Sequence, residues 1–348
     1  MNRYSSASLT QWVAVVLEAG GISAPHASVA SGVLVRTSLR GVDAHGVSRI
    51  PLYMQRIAAG EITSNDPQAE WRDGALHVKG EGALGQVVAT FAVDQCVQAT
   101  EKVACAPCVI TSCASLSALG LFALQAAEAG RVGFVCQRTP AVMGLSGSPR
   151  ATIGNNPIAF AAPVRGGTPL VFDMANSVVA RGRIQQAARD NAPIPADWAM
   201  GGDGQPTTEA AAALMGYLRP MAEHKGIGLA MVVEVLSAGL AGWREHKDPE
   251  ATASRSATGV DAFVLVINPA LICGQEVFEA GAHRWLRHFL NTSGEGARFP
   301  GQRQAAMEKE RLAVGIPIPA GVVRELREAG RAVGHDFDLI PMGTITSR

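Results

Sequence analysis

From about residue 70 the chain alternates short apolar runs with longer segments of helical spacing: ALHV, then 86–102, then CVIT, then ALGLFALQAAEA at 118–129, then VGFVC. This alternation constrains the fold most, because apolar strands need cover and the intervening helices are the nearest cover available. It predicts an α/β layer. IAFAAP at 158–163, PLVFDMA at 169–175 and DAFVLVINP at 261–269 supply further strands. Helical spacing at 9–19 and 24–40, with Ser8 and Ser23 available as caps, and again at 303–315 and 320–333, makes both ends helical. Ser48 can cap a further short helix that holds Pro51 in its first turn and stops at Gly60. The expected division is a helical lobe over 1–66, completed by 303–348, and an α/β domain over 67–302. A loop or small helical insert is expected around 185–225, where Pro, Gly and Asp accumulate.

Composition removes several classes of function. Charged residues make up only 17% of the 348, with 30 Lys+Arg against 30 Asp+Glu, so there is no electrostatic footprint for nucleic acid. The longest apolar stretch, GIGLAMVVEVLSAGLAG at 226–242, carries Glu234 and falls short of the ~20 residues that span a bilayer. It is expected to be a buried helix, with no membrane involved. The amino end lacks a basic leader with a clean apolar segment, so it reads as mature protein. Six cysteines in a chain this long are not a disulfide framework and fit a reducing cytoplasm.

GEGALG at 80–85 is a literal G-x-G-x-x-G between a strand-like and a helix-like segment. A dinucleotide fingerprint also wants a carboxylate about 20 residues on, at the end of the next strand. VACAPCVITSCA has none, and with 38 glycines in the chain chance matches are frequent, so the six residues read as a structural turn. Cys105-Ala106-Pro107-Cys108 lacks a second ligand pair and runs into a strand, and the histidines form no H-E-x-x-H, so no metal site is expected. RGVDAHG is more suggestive. It places His45 in a glycine-bracketed loop just before a helix that presents Arg49 and Tyr53 one turn apart. An imidazole, a guanidinium able to grip a carboxylate and a phenol form a plausible small-acid site; a merely solvated loop histidine is the alternative. His224-Lys225-Gly226, ahead of the apolar helix, would offer an anion backbone N–H groups, a helix dipole and a lysine.

RGVDAHGVSRIPLY, IGNNPIAFAAP, PLVFDMANSVVARGRI and HKGIGLAMVVEVLSAGLAG follow one another in an order and spacing similar to the type 2 malate/L-lactate dehydrogenase family. The resemblance runs from the first helix to RFPGQRQ at 298–304. It implies a non-Rossmann α/β fold, with a helical lobe formed by both termini and a mixed-sheet cofactor domain, usually in a homodimer. It implies an oxidoreductase that uses NAD or NADP on a small carboxylate-bearing substrate. The cofactor would be held by Arg138 and Thr139, by Asp173, Met174 and Ala175, by Lys225, and by Gly301 and Gln302. Arg49 would clamp the substrate carboxylate, with Tyr53 and Asn155 nearby, and His45 would exchange a proton as hydride moves. Arg138 is also a candidate acceptor of a 2′-phosphate.

Four departures from the family pattern cluster near this site. The usual N-S-x-H-F-G reads Ser112-Cys113-Ala114-Ser115-Leu116-Ser117, so Ser115 stands where an acid/base histidine is usual and enters the candidate catalytic set with His45. Ala44 replaces the serine before His45, Asn155 the threonine of G-T-N-P, and Gly201 an acid after Trp198-Ala199. A serine hydroxyl does not titrate near neutrality and cannot act alone as a matched general acid. The substrate expected is a 2-oxo or 2-hydroxy acid or a cyclic 2-imino acid. Reduction of a protonated imine needs less help than reduction of a carbonyl, so the departures favour a cyclic 2-imino acid such as Δ1-piperideine- or Δ1-pyrroline-2-carboxylate, or another unusual 2-oxo acid, over a simple one. The competing expectation is a degenerate member that binds nucleotide or a partner without turnover. Ser115 and Ala44 point that way, whereas His45, Arg49, Lys225 and the FDMA segment point to an enzyme.

Overall fold

The structure is a computed structural model that describes residues 2–243 and 259–343. The amino end folds as β1 (Asn2–Tyr4), α1 (Ser6–Ala19), α2 (Ala24–Leu39) and α3 (Ile50–Ala58). Then come β2 (Gln68–Arg72), β3 (Ala75–Lys79), α4 (Gly85–Ala99), β4 (Cys105–Cys113), α5 (Gly120–Glu128), β5 (Val132–Gln137), β6 (Ala141–Met143), β7 (Ile153–Gly154), β8 (Ile158–Ala162) and β9 (Leu170–Met174). An insert of α6 (Arg181–Arg189), β10 (Ala199–Met200), α7 (Ala210–Met215) and β11 (Tyr217–Leu218) follows. The chain ends with α8 (His224–Glu234), β12 (Val260–Ile267), α9 (Gln275–Ser293), α10 (Gln302–Val314), β13 (Ile316–Ile318) and α11 (Ala320–Arg331).

The two ends of the chain share one core. Leu9, Val13, Val16 and Leu17 form the apolar stripe of α1 and bury against Ala27, Ala30 and Leu34 of α2. β1 pairs antiparallel with β13, α11 packs on α3, and α10 packs on α2. Phe337 closes this core with edge-on contacts to Tyr4 and Trp12, at centroid distances of 5.2 and 4.8 Å. Residue 1 and residues 344–348 of the lobe expected from the sequence lie outside the described residues. The serine caps differ from expectation. Ser5, not Ser8, is the residue before α1, and neither it nor Ser23 makes a side-chain cap bond.

The main sheet has seven strands in the order β2-β3-β4-β12-β5-β8-β9, and only β3 and β4 run parallel. A Rossmann sheet would be parallel throughout its cofactor half, so the non-Rossmann expectation holds. One face is covered by α4 and α5 through a core that includes Val88, Ala92, Phe122 and Val264. The other carries α8 and its π-helical continuation Val235–Gly239, which bury Val233 and Ala241 against Val109 and Phe263. The insert has its own small core, and a four-stranded sheet, β10-β11-β6-β7, ties it to the main body.

The 226–242 stretch departs from the buried helix expected. Met231 (56%), Val232 (53%), Val235 (54%) and Leu240 (52%) are exposed in the single chain. A helix lying on a sheet buries only one stripe, and this one is apolar on the opposite side as well. Among the described residues no helix is long and apolar enough to cross a membrane.

GEGALG is the turn between β3 and α4, and its job is packing. The N–H groups of Gly80 and Gly82 donate to Thr111 and Ser112, and Ala83 accepts from Ala114, so the turn is laced to the end of β4. Gly82 has φ +82°, and a Cβ on Gly85 would lie 2.4 Å from the carbonyl oxygens of Ala114 and Ser115. The segment around Ser115 therefore rests on Gly85. Cys105-Ala106-Pro107-Cys108 runs into β4 as expected; contact with Cys96 and burial hold the Cys108 thiol well above its usual range. Gly85→Ala is expected to destabilise the protein by about 2 kcal/mol or more, since backbone must move. Gly32→Ala, mid-helix in α2 with open space around it, should stabilise by about 0.5–1 kcal/mol. Urea-unfolding midpoints of the two variants provide the comparison.

Candidate active site

Two 3-10 turns, Asp43–His45 and Val47–Arg49, carry the first wall. Arg311 of α10 holds Asp43 with both guanidinium nitrogens, at 2.5 and 3.1 Å, and also donates to the Ser38 carbonyl at 2.5 Å. Gly46 admits no side chain, because a Cβ there would sit 2.0 Å from Ser38 Oγ, which accepts from the Val47 N–H. Ser48 does not cap α3 as expected; its hydroxyl donates to the Asp43 carbonyl at 2.6 Å, bracing the loop instead. Burial and then the Arg49 charge push the His45 imidazole down to about 4, so it is neutral at pH 7. The Arg49 guanidinium has no hydrogen-bond or ion-pair partner among the described residues, unlike those of Arg36, Arg40 and Arg311. Tyr53 is buried, and its hydroxyl accepts from Gln86 Nε2 at 2.9 Å.

The second wall is the segment joining β4 to α5. Buried Gln137 accepts from the Leu116 N–H at 2.8 Å and fixes its middle. Ser117, at φ +74°, places Oγ 2.9 Å from the His45 carbonyl and 3.3 Å from His45 Nδ1. Ser115 Oγ meets the Ser117 N–H at 3.4 Å. The hydroxyl on the imidazole thus belongs to Ser117. Three residues on, the Gly120 N–H donates to Asp173 Oδ2 at 2.8 Å. Asp173 keeps solvent-accessible surface yet has protein packed closely around its carboxyl; that desolvation raises it to about 6, with the Gly120 bond opposing. The insert approaches the same place, since a Cβ on Gly182 of α6 would lie 3.7 Å from the Ala44 methyl.

The other expected cofactor residues lie on loops tied to one another. Thr139 donates to Asn155 Oδ1 at 2.9 Å, and buried Asn156 bonds Thr139, the Ala230 carbonyl and Glu234. Asn176 accepts from the Met221 N–H and donates to the Asn156 carbonyl, joining the end of β9 to the start of α8. Arg138 faces Glu234 at 2.8 Å and Asp261 at 3.6 Å, so two carboxylates already neutralise the guanidinium considered for a 2′-phosphate. Lys225 is exposed in the first turn of α8, but the N–H groups of Lys225 and Gly226 are taken by Ala222 and Met221. Contrary to the sequence reading, those two amides are not on offer to an anion; the ammonium and the dipole remain. Met174 and Ala175 are half-buried at the end of β9. Gly301 (φ +100°) packs where a Cβ would meet Val171 N at 2.8 Å, and Gln302 caps the Phe299 N–H through its side chain.

Direct contacts thus link His45 to Ser117, and the same segment reaches Asp173 at Gly120. Ser115, Arg138 and Tyr53 have protein partners of their own. Sequence reasoning missed Ser117, Gln137 and Asn156. A left-handed backbone at a serine leaves no mark in composition or periodicity, although the alignment of Ser117 with the last glycine of N-S-x-H-F-G was a clue. Among the described residues no three His, Cys, Asp or Glu side chains gather as a metal site.

Residues 4–327 match the sequence profile of the family described as malate/L-lactate dehydrogenase. The chain is similar to the Δ1-pyrroline-2-carboxylate reductase of Pseudomonas fluorescens, at 32% identity over 94% of this chain and 99% of that protein. The (2R)-3-sulfolactate dehydrogenase (NADP(+)) of Chromohalobacter salexigens is also 32% identical, over 94% and 98%. Among solved structures, the Δ1-piperideine-2-carboxylate reductase of Pseudomonas syringae superposes with a TM-score of 0.84 at 29% identity, covering 94% of this chain and all of that one.

Asp173 has a raised folded-state pKa, so its contribution to stability is full below the ordinary carboxylate range and is lost as pH rises through about 6. Asp173→Asn keeps an acceptor for the Gly120 N–H and removes that loss. Its urea midpoint should therefore gain on wild type between pH 4 and pH 7, and equal midpoints across that range would contradict the desolvated carboxyl.

Proposed function

The chain belongs to the malate/L-lactate dehydrogenase family of oxidoreductases, and from that premise we propose that it reduces a small cyclic 2-imino acid at the expense of NADH or NADPH. The observation that carries this reading is an Arg49 guanidinium with no partner among the described residues, beside a half-buried His45 whose imidazole is held neutral. A guanidinium with all its donors free takes a carboxylate in a bidentate grip. The neutral imidazole beside it is suited to accept a proton or an N–H hydrogen bond, and poorly suited to donate a proton at pH 7. A ketone becoming an alkoxide needs a donor, and Ser115 stands where the family usually has its second histidine. A protonated imine brings its own proton, and its N–H is a donor that His45 can hold. The same site would serve oxidation of a 2-hydroxy acid, with His45 taking the hydroxyl proton.

The donor set suits a dinucleotide: one exposed ammonium at a helix start for phosphate, and Thr139, Asn155 and Asp173 for hydroxyl-rich ribose and amide groups. Lys225, Thr139 and Asp173, with Met174, Ala175, Gly301 and Gln302 lining the approach, would hold it. When bound, it supplies the hydride. The committed Arg138 weakens the case for that residue as a 2′-phosphate ligand. The apolar face of α8, together with exposed Ile272 and Trp285, supports a homodimer, and six unpaired cysteines fit a reducing compartment such as the cytoplasm.

Purified protein assayed with NADH and NADPH should turn over Δ1-pyrroline- or Δ1-piperideine-2-carboxylate faster than pyruvate or oxaloacetate; the reverse order would overturn the imine reading, and cofactor binding without turnover would favour the degenerate one. Arg49→Ala should raise KM for the acid about 100-fold. Sedimentation of Met231→Glu should show a shift toward monomer relative to wild type; an unchanged sedimentation coefficient would move the interface elsewhere.

A further inference from the structure

We propose that Ser117 sets the tautomer of His45, and so acts as a positioning residue for the proton-handling group of the site. This rests on the reading of His45 given above and deepens it. Ser117 holds φ +74°, a conformation that glycine adopts freely and other residues rarely do. The Ser117 side chain makes its hydrogen-bond contacts to one residue, His45. Ser117 Oγ lies 2.9 Å from the His45 carbonyl oxygen and 3.3 Å from His45 Nδ1.

A hydroxyl has one proton. The carbonyl can only accept, so the shorter bond commits that proton to it, and what Oγ then offers Nδ1 is a lone pair. Nδ1 must carry the ring proton, and Nε2 is left bare as the acceptor. The reverse tautomer would set two lone pairs, on Nδ1 and on Oγ, against each other. The ring is thus presented as a base, which matches an iminium N–H or a hydroxy-acid O–H and not a carbonyl that needs polarising. The position before His45 is Ala44, whose methyl can contribute no hydroxyl, so the ring's hydroxyl partner comes from the segment between β4 and α5. Gln137 holds the neighbouring Leu116 N–H at 2.8 Å and keeps the serine in register with the ring.

Ser117→Gly tests this cleanly, because it removes the hydroxyl and relieves the backbone, so folding is not at risk. Histidine-labelled protein, with the His45 resonances identified by their loss in His45→Gln, reports through 15N shifts which ring nitrogen is protonated. Wild type should be protonated at Nδ1, and Ser117→Gly should move toward the Nε2–H form, with kcat at least about tenfold lower and KM for the carboxylate nearly unchanged. A wild-type ring protonated at Nε2, or a Ser117→Gly ring with the same tautomer population as wild type, would overturn the proposal. The tautomer is read without turnover, so a protein inactive on every acid would refute the function proposed above and leave this measurement decisive for Ser117.

Discussion

Everything at the site depends on where β12 inserts. Without its eight residues the main sheet would fall into two pieces, β2-β3-β4 and β5-β8-β9, because β4 and β5 have no ladder to each other. β12 runs antiparallel to both and sets the distance between the segment that leaves β4, carrying Ser115 and Ser117, and the strand ends that carry Thr139 and Asp173. Asp261 on β12 reaches Arg138, so the zipper strand is also electrostatically tied to the end of β5. The helical lobe then brings His45 against this seam, with Arg311 from near the carboxyl end gripping Asp43 from near the amino end. A residue pair 268 positions apart thereby holds the loop that carries His45.

The local elements were legible because their causes are local. The 3.6 spacing of Leu9, Val13 and Val16 gave α1, and the β-branched run at 261–269 gave β12, each to within a few residues. What β12 pairs with was not legible, since nothing in its own residues names β4 or β5 as neighbours. The exposure of the 226–242 stretch was misread for a related reason: periodicity says that a segment is apolar, not which of its sides is covered. The π-helical turn at Val235–Gly239 further rotates that stretch off simple spacing.

At the candidate site, His45 and Arg49 could be singled out from residue type and spacing, and the roles proposed for them come from the family resemblance. Their states could not be read that way. A neutral histidine at pH 7 and an arginine whose guanidinium has no partner among the described residues are products of desolvation and of which charges were spent elsewhere. Asp43 is absorbed by Arg311, and Glu234 and Asp261 are absorbed by Arg138. The same holds for Ser117, whose importance lies in a backbone angle. GEGALG makes the point from the other side. Its glycines matter because backbone passes within van der Waals reach of Gly85, and no phosphate is needed to explain them.

The central position of β12 also governs when the site can exist during synthesis. Its partners β4 and β5 leave the ribosome long before it does, with roughly 120 residues between the end of β5 and the start of β12. At about 5–20 residues per second the inner edges of β4 and β5 wait without their partner for about 6–25 s after β5 is made. Those edges are apolar and unpaired, the kind of surface that recruits other chains. A chaperone that shields Cys108, Val135 and their neighbours in that interval would be acting on the gap that β12 later fills, and slower elongation after residue 137 would lengthen the exposure in proportion.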